Sequence, residues 1–262
     1  MPNIYNKTPL SAQVVPLIDR QGRNVAVVIV KATFDIEPSG QLRLASKQEQ
    51  ILFVDEPAGR NPSQPVRIPA DLTDFKPAAD VVVVAPADPQ ARQGMQGRMV
   101  KLSVGPLQLA KKIGDGWPLG PVRRDQEPRR SFAGTYDDAW TKKRMPLLPI
   151  DFDPRHNLVA PADQVVAGYL KGDEQIVISG LYPWPNLVLS LPGRAVVVAG
   201  NVLNDYFTDI ATLDTLLLWA ERPRLTLVWR HAILPSQKIE EVANIHISLA
   251  RLKNTRELYG KP

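Results

Sequence analysis

Apolar residues recur at every second position along much of this chain, the period of a strand with one buried face. From Ala26 to Ile36 every even position is apolar (Ala26, Val28, Val30, Ala32, Phe34, Ile36), while the odd positions turn polar from Lys31 onward. That pattern predicts a strand buried on both faces in its first half and on one face in its second. Glu37-Pro38-Ser39-Gly40 reads as a turn, with Leu42 and Leu44 on the return strand. A second hairpin is predicted from Arg98 to Val104, turning at Gly105-Pro106 and returning through Leu107 and Leu109. A third joins Ile176–Ser179 to Asn186–Leu191, and a fourth joins Thr212–Trp219 to Arg224–Arg230. A last strand is predicted over Val242–Leu252, where Ala243, Ile245, Ile247 and Leu249 alternate with polar residues. Helical signal is confined to residues 163–170 and 203–210, each long enough for a turn or two.

The chain carries 25 prolines, a density long helices do not tolerate, because each interior proline removes a backbone donor and clashes with the preceding turn. Strand edges and turns accommodate it. The expected fold class is therefore all-β with minor helix, built of antiparallel, sandwich-like sheets. Two stretches read as loops, Pro57–Pro77 and Gly114–Pro161. The second is rich in Pro, Gly and charge yet holds Trp117, Phe132, Tyr136, Trp140 and Phe152. Aromatic content of that kind argues against disorder, and a loop of that length is usually functional. The expected organisation is an N-terminal β-rich region 1–113, a central aromatic and basic segment 114–161, and a C-terminal β-rich region 162–262. One continuous domain over 1–262 is the alternative.

Composition narrows the function classes. Apolar residues at 44% and charged residues at 23% fit a globular chain, not a disordered or fibrous one. No apolar run approaches the 18 residues of a membrane span. The first residues lack the apolar core of a signal peptide, so a cytoplasmic location is expected. The absence of cysteine removes disulfides, thiol catalysis, iron–sulfur clusters and Cys-based zinc sites. Net charge is +5, and residues 123–144 hold +3 of it, with seven basic side chains against four acidic ones. Such a segment is either a solvated charged loop or a docking surface for an acidic partner.

Catalytic signals are sparse. His156, His231 and His246 lie in unrelated contexts without metal-ligand spacing, and no nucleophile elbow or phosphate-binding glycine loop is present. Asp151 and Asp153 flank Phe152, and on an extended backbone they would point the same way about 7 Å apart. A carboxylate pair at that separation can do hydrolytic work, but Asp153 before Pro154 is also an ordinary turn former. No catalytic residue, metal or cofactor is expected. Basic clusters near tryptophans invite a nucleic-acid reading, but no helix-turn-helix, zinc finger or aromatic RNA-binding strand is found, and Asp125, Asp137 and Asp138 interrupt the basic runs. A carbohydrate-binding or carbohydrate-active β-sandwich is a further alternative.

Several segments carry a resemblance. Asp19-Arg20-Gln21-Gly22-Arg23 leads into Val27–Asp35; Phe53-Val54-Asp55-Glu56-Pro57 precedes Asp71-Leu72-Thr73-Asp74-Phe75-Lys76-Pro77-Ala78-Ala79-Asp80-Val81; Val104-Gly105-Pro106 precedes Gly114-Asp115-Gly116-Trp117. Most specific is Ser131-Phe132-Ala133-Gly134-Thr135-Tyr136-Asp137, then Trp140, then Arg144 through Arg155, with Val188–Gly193 later. Together these resemble a bacterial domain-of-unknown-function family encoded beside type VI secretion effectors and spike proteins. The resemblance implies a non-enzymatic adaptor or chaperone. It would bind an effector, often through a PAAR-like or related N-terminal region, and assist its loading onto the VgrG spike. On that reading Arg129, Arg130, Phe132, Tyr136, Trp140, Lys142, Lys143 and Arg144 are the candidate partner-binding residues, since arginine and aromatic side chains carry most interface hot spots. The plainer reading of the aromatic members is that they anchor the long segment onto the sheets.

Overall fold

The computed structural model of the chain describes residues 2–59, 65–114, 117, 119–235 and 237–252. Its strands form three principal sheets, in keeping with the all-β expectation. The largest is seven-stranded and runs in the order Val165–Val166, Ala79–Val84, Thr212–Trp219, Arg224–Ile233, Asn24–Ile36, Ser11–Ile18, with Leu42–Leu44 also paired to Asn24–Ile36. A second sheet orders Ile4–Asn6, Val242–Arg251, Arg194–Val202 and Asp205–Ile210. The third orders Leu187–Ser190, Gln175–Ser179, Met99–Val104 and Leu107–Lys112.

All four expected hairpins are present. Strands from before and after the central segment share sheets: Asn24–Ile36 pairs with Arg224–Ile233, and Met99–Val104 with Gln175–Ser179. Two pairings are parallel, Ala79–Val84 with Thr212–Trp219 and Ile4–Asn6 with Val242–Arg251. The helical expectation at residues 203–210 fails. Leu203 occupies a left-handed turn at φ 55°, and Asp205–Ile210 returns as a strand against Arg194–Val202. At residues 163–170 a 3-10 turn at Ala162–Gln164 gives way to the short strand Val165–Val166.

One face of the seven-stranded sheet, with Val28, Val30, Val81, Val83, Leu216 and Leu227, joins Val100, Leu102, Ile176 and Ile178 of the third sheet in a shared core. Val196, Val198, Ile245 and Ile247 of the second sheet complete it. Burial of these side chains, each worth about 1.5–3 kcal/mol, is the main drive for the three-sheet assembly. Tight approach between elements fixes at least one glycine. Gly40 closes the first hairpin at φ +83°, and a Cβ there would lie 1.9 Å from the Val188 carbonyl oxygen.

The other face of the large sheet is buried too, as the pattern predicts for the first half of Asn24–Ile36 but not for its second. Lys31 and Thr33, expected to face water, are 1% and 0% exposed. Residues 45–59 and 65–77 and part of the central segment roof this face: Ile51 packs on Val25, Val27 and Ile29, while Ile68, Val159 and Ala160 pack on Val82, Val84 and Trp219. A buried charge is tolerated only when paired, and here the pairing forms a chain. Lys31 Nζ donates to Asp71 Oδ2 at 2.7 Å, and Arg230 binds the Asp71 carbonyl at 2.7 Å and the Asp214 carboxylate. Thr215 Oγ1 donates to Asp214 and accepts from Lys76 Nζ, which also donates to Asp80 at 2.8 Å. Asp80 finally accepts from the backbone amides of Val159 and Ala160 at 3.1 and 2.9 Å. The chain of contacts thus nails both roofing segments to the sheet.

Candidate functional site

The central segment is built from short turns held by side-chain anchors. A helix spans Asp138–Lys143, and Asp137 caps its first turn by accepting from the Trp140 amide at 2.8 Å. Flanking 3-10 turns run over Arg129–Phe132 and Pro154–Asn157. Asp115 and Gly116 of the expected motif at its start lie outside the described residues.

The structure separates the eight candidate docking residues into anchors and surface. Arg129 is buried: its Nε donates to the His156 carbonyl at 3.0 Å and its Nη1 to the Val122 carbonyl at 2.7 Å. Burial pushes its pKa down to about 10, so it stays charged near neutral pH. Arg144 donates to the carbonyls of Leu148 and Arg20, both at 2.6 Å, and ties the segment to the N-terminal turn. Trp140 is half-buried, with its indole donating to the Leu147 carbonyl at 2.8 Å. Phe132 is half-buried beneath the Arg155 guanidinium, 4.2 Å from the ring centre. Tyr136, edge-on to Trp140, is 53% exposed, and Arg130, Lys142 and Lys143 are exposed. Met145 and Ile150, absent from the candidate set, are 61% and 88% exposed and belong to the same segment.

The groups that invited a catalytic reading make contacts within the fold. Asp151 accepts from the Thr135 amide and hydroxyl at 3.0 and 2.8 Å, which hold its carboxyl below the usual range. Asp153 caps the turn at Pro154 and takes the Arg155 guanidinium, which lowers its pKa likewise. His156 Nδ1 lies 2.8 Å from the Arg129 carbonyl, and burial pushes the ring's pKa below its usual value. His231 sits within a strand, stacked on Phe207, and His246 stacks on Tyr5 at 4.7 Å. Among the described residues no cluster of three or more His, Asp or Glu is placed to hold a metal.

Beside the central segment opens a cleft of about 290 Å³, at the small end of ligand pockets. Three of the motif segments converge on it: the Asp19–Arg23 turn, the Asp74–Phe75 pair and the stretch from Leu148 to Asn157. Leu147 seats on Gly22, where a Cβ would come within 2.9 Å of it, and Asn157 donates to the Phe75 carbonyl at 2.7 Å. Asp74 lines both this cleft and a smaller cavity shared with Lys76, Asp214 and Arg230, and burial raises its pKa.

A model of a family described as uncharacterized proteins conserved in bacteria (DUF2169) matches residues 21–115 and 115–230. The chain belongs to that family. No curated protein and no solved structure matches it. The DUF2169 match takes in Asp74, Phe75, Leu148, Phe152 and Asn157 of the cleft and the whole segment carrying the exposed Tyr136, Lys142 and Lys143.

Proposed function

We propose that this chain is a non-enzymatic cytoplasmic adaptor, or loading chaperone, for a type VI secretion effector. It engages the effector's PAAR-like or related N-terminal region and assists its transfer to the VgrG spike. The motif resemblance supplies the system. The observation that carries a binding role is the division of labour in the central segment. Its carboxylates Asp151 and Asp153 and its histidine are consumed by internal hydrogen bonds, while Tyr136, Lys142, Lys143, Met145 and Ile150 are held out to solvent on an anchored frame. Exposed aromatic and aliphatic side chains supply buried area on binding, and adjacent cations supply steering and register.

The test is co-expression of the tagged chain with the type VI effector encoded in the same gene cluster. A complex that survives size-exclusion chromatography is the expected result. Retention on polysaccharide or on DNA, with no effector captured, would overturn the adaptor reading in favour of a carbohydrate or nucleic-acid binder.

A further inference from the structure

Asp74 is the one carboxylate of the cleft with no role in holding the fold together. Burial raises its pKa, the backbone amides of Asp74 and Phe75 and the more distant Arg230 charge oppose that rise, and no side chain among the described residues forms an ion pair with it. The neighbouring charges are committed elsewhere. Asp19 takes the Arg23 guanidinium and two backbone amides of its own turn, and Arg230 is held by Asp214 and the Asp71 carbonyl. Arg20 stays exposed at the mouth. Around Asp74 the walls are apolar: Phe75, Leu148, Phe152, Pro154 and Leu234. Phe75 and Leu234 are 47% and 50% exposed and give the cleft apolar surface beside the half-buried acid.

We propose that this cleft receives a lysine or arginine side chain of a partner polypeptide, its aliphatic stem against Phe75 and Phe152 and its cationic head on Asp74. The size suits one such side chain, and long basic side chains bury their stems while keeping the head on a polar group. An incoming cation replaces the solvation that Asp74 loses to burial, so the unfavourable carboxylate becomes a binding determinant.

The inference rests on the chain being a binder of another polypeptide, but its test is independent of any effector. The probes are Nα-acetyl-lysine methylamide and its arginine, norleucine and glutamate counterparts, titrated at millimolar concentration and followed by amide resonances. The lysine and arginine probes should shift Phe75, Asn157 and Ala232. Norleucine, which keeps the stem and drops the charge, should bind about tenfold more weakly, the worth of one charge-assisted hydrogen bond. Asp74→Asn should erase the preference for lysine while melting no lower than the parent, since it removes a carboxylate that burial disfavours. Ala232→Trp, at an exposed position on the rim, should block every probe. Equal binding of norleucine, tighter binding of glutamate, or no shift at these amides would overturn the proposal. Effector capture with silent probes would sink the cleft alone, whereas probe binding without effector capture would sink the adaptor reading alone.

Discussion

Asp80→Ala should cost about 3–5 kcal/mol of unfolding free energy, the usual loss when one partner of a buried ion pair is removed. Asp80 is 0% exposed, and its carboxylate serves three donors at once: Lys76 Nζ and the amides of Val159 and Ala160. Alanine leaves a buried ammonium with Thr215 as its one remaining partner among the described residues, and strands two backbone donors. The loss should appear in denaturant titration and, because the amides belong to the roof, as faster proteolysis within residues 114–161. The double variant Lys76→Met with Asp80→Leu should recover part of the loss, since removing both charges spares the desolvation cost. A loss below about 1 kcal/mol for Asp80→Ala would mean that the contact chain does not hold the roof.

The second large effect is on binding. Lys142→Glu with Lys143→Glu should weaken capture of the effector about tenfold or more at low salt, chiefly through the association rate, and the deficit should shrink as salt rises. Both side chains are exposed and pair with no carboxylate among the described residues, so stability should change little. They end the Asp138–Lys143 helix, where acidic replacements oppose the helix dipole at a cost up to about 1 kcal/mol. Trp140→Ala is a poorer probe, because the indole anchors the Leu147 carbonyl and its loss would loosen the segment itself. Unchanged capture by a folded double variant would place the docking surface elsewhere.

The hairpins were legible because their information is local: alternation along Asn24–Ile36 or Thr212–Trp219 and a turn signal between paired runs. The roof was not legible. Lys31 looks like the first polar position of a half-exposed strand, and what buries it is Asp71, 40 residues further on. The partners Asp80 and Ala160 are 80 residues apart, and nothing periodic connects them. The valine run at 81–84 reads equally as strand or buried helix; its parallel partner Thr212–Trp219 decides. In the candidate set, basic residues of one segment could not be sorted by sequence. Arg129 and Arg130 are adjacent, yet one is buried beneath carbonyl contacts and the other exposed, because a 3-10 turn points successive side chains about a third of a turn apart. Asp74 stood within a recognised motif, but only the convergence of three distant segments makes it part of a cleft.

Hydrogen exchange on the chain alone and in complex with the effector of its gene cluster tests the account most directly. Slowed exchange is predicted over residues 136–150 and around Phe75, on the exposed side of the central segment and at the cleft mouth, with the three sheets unchanged. Protection confined to another surface, such as the Asp205–Ile210 edge strand, would contradict it.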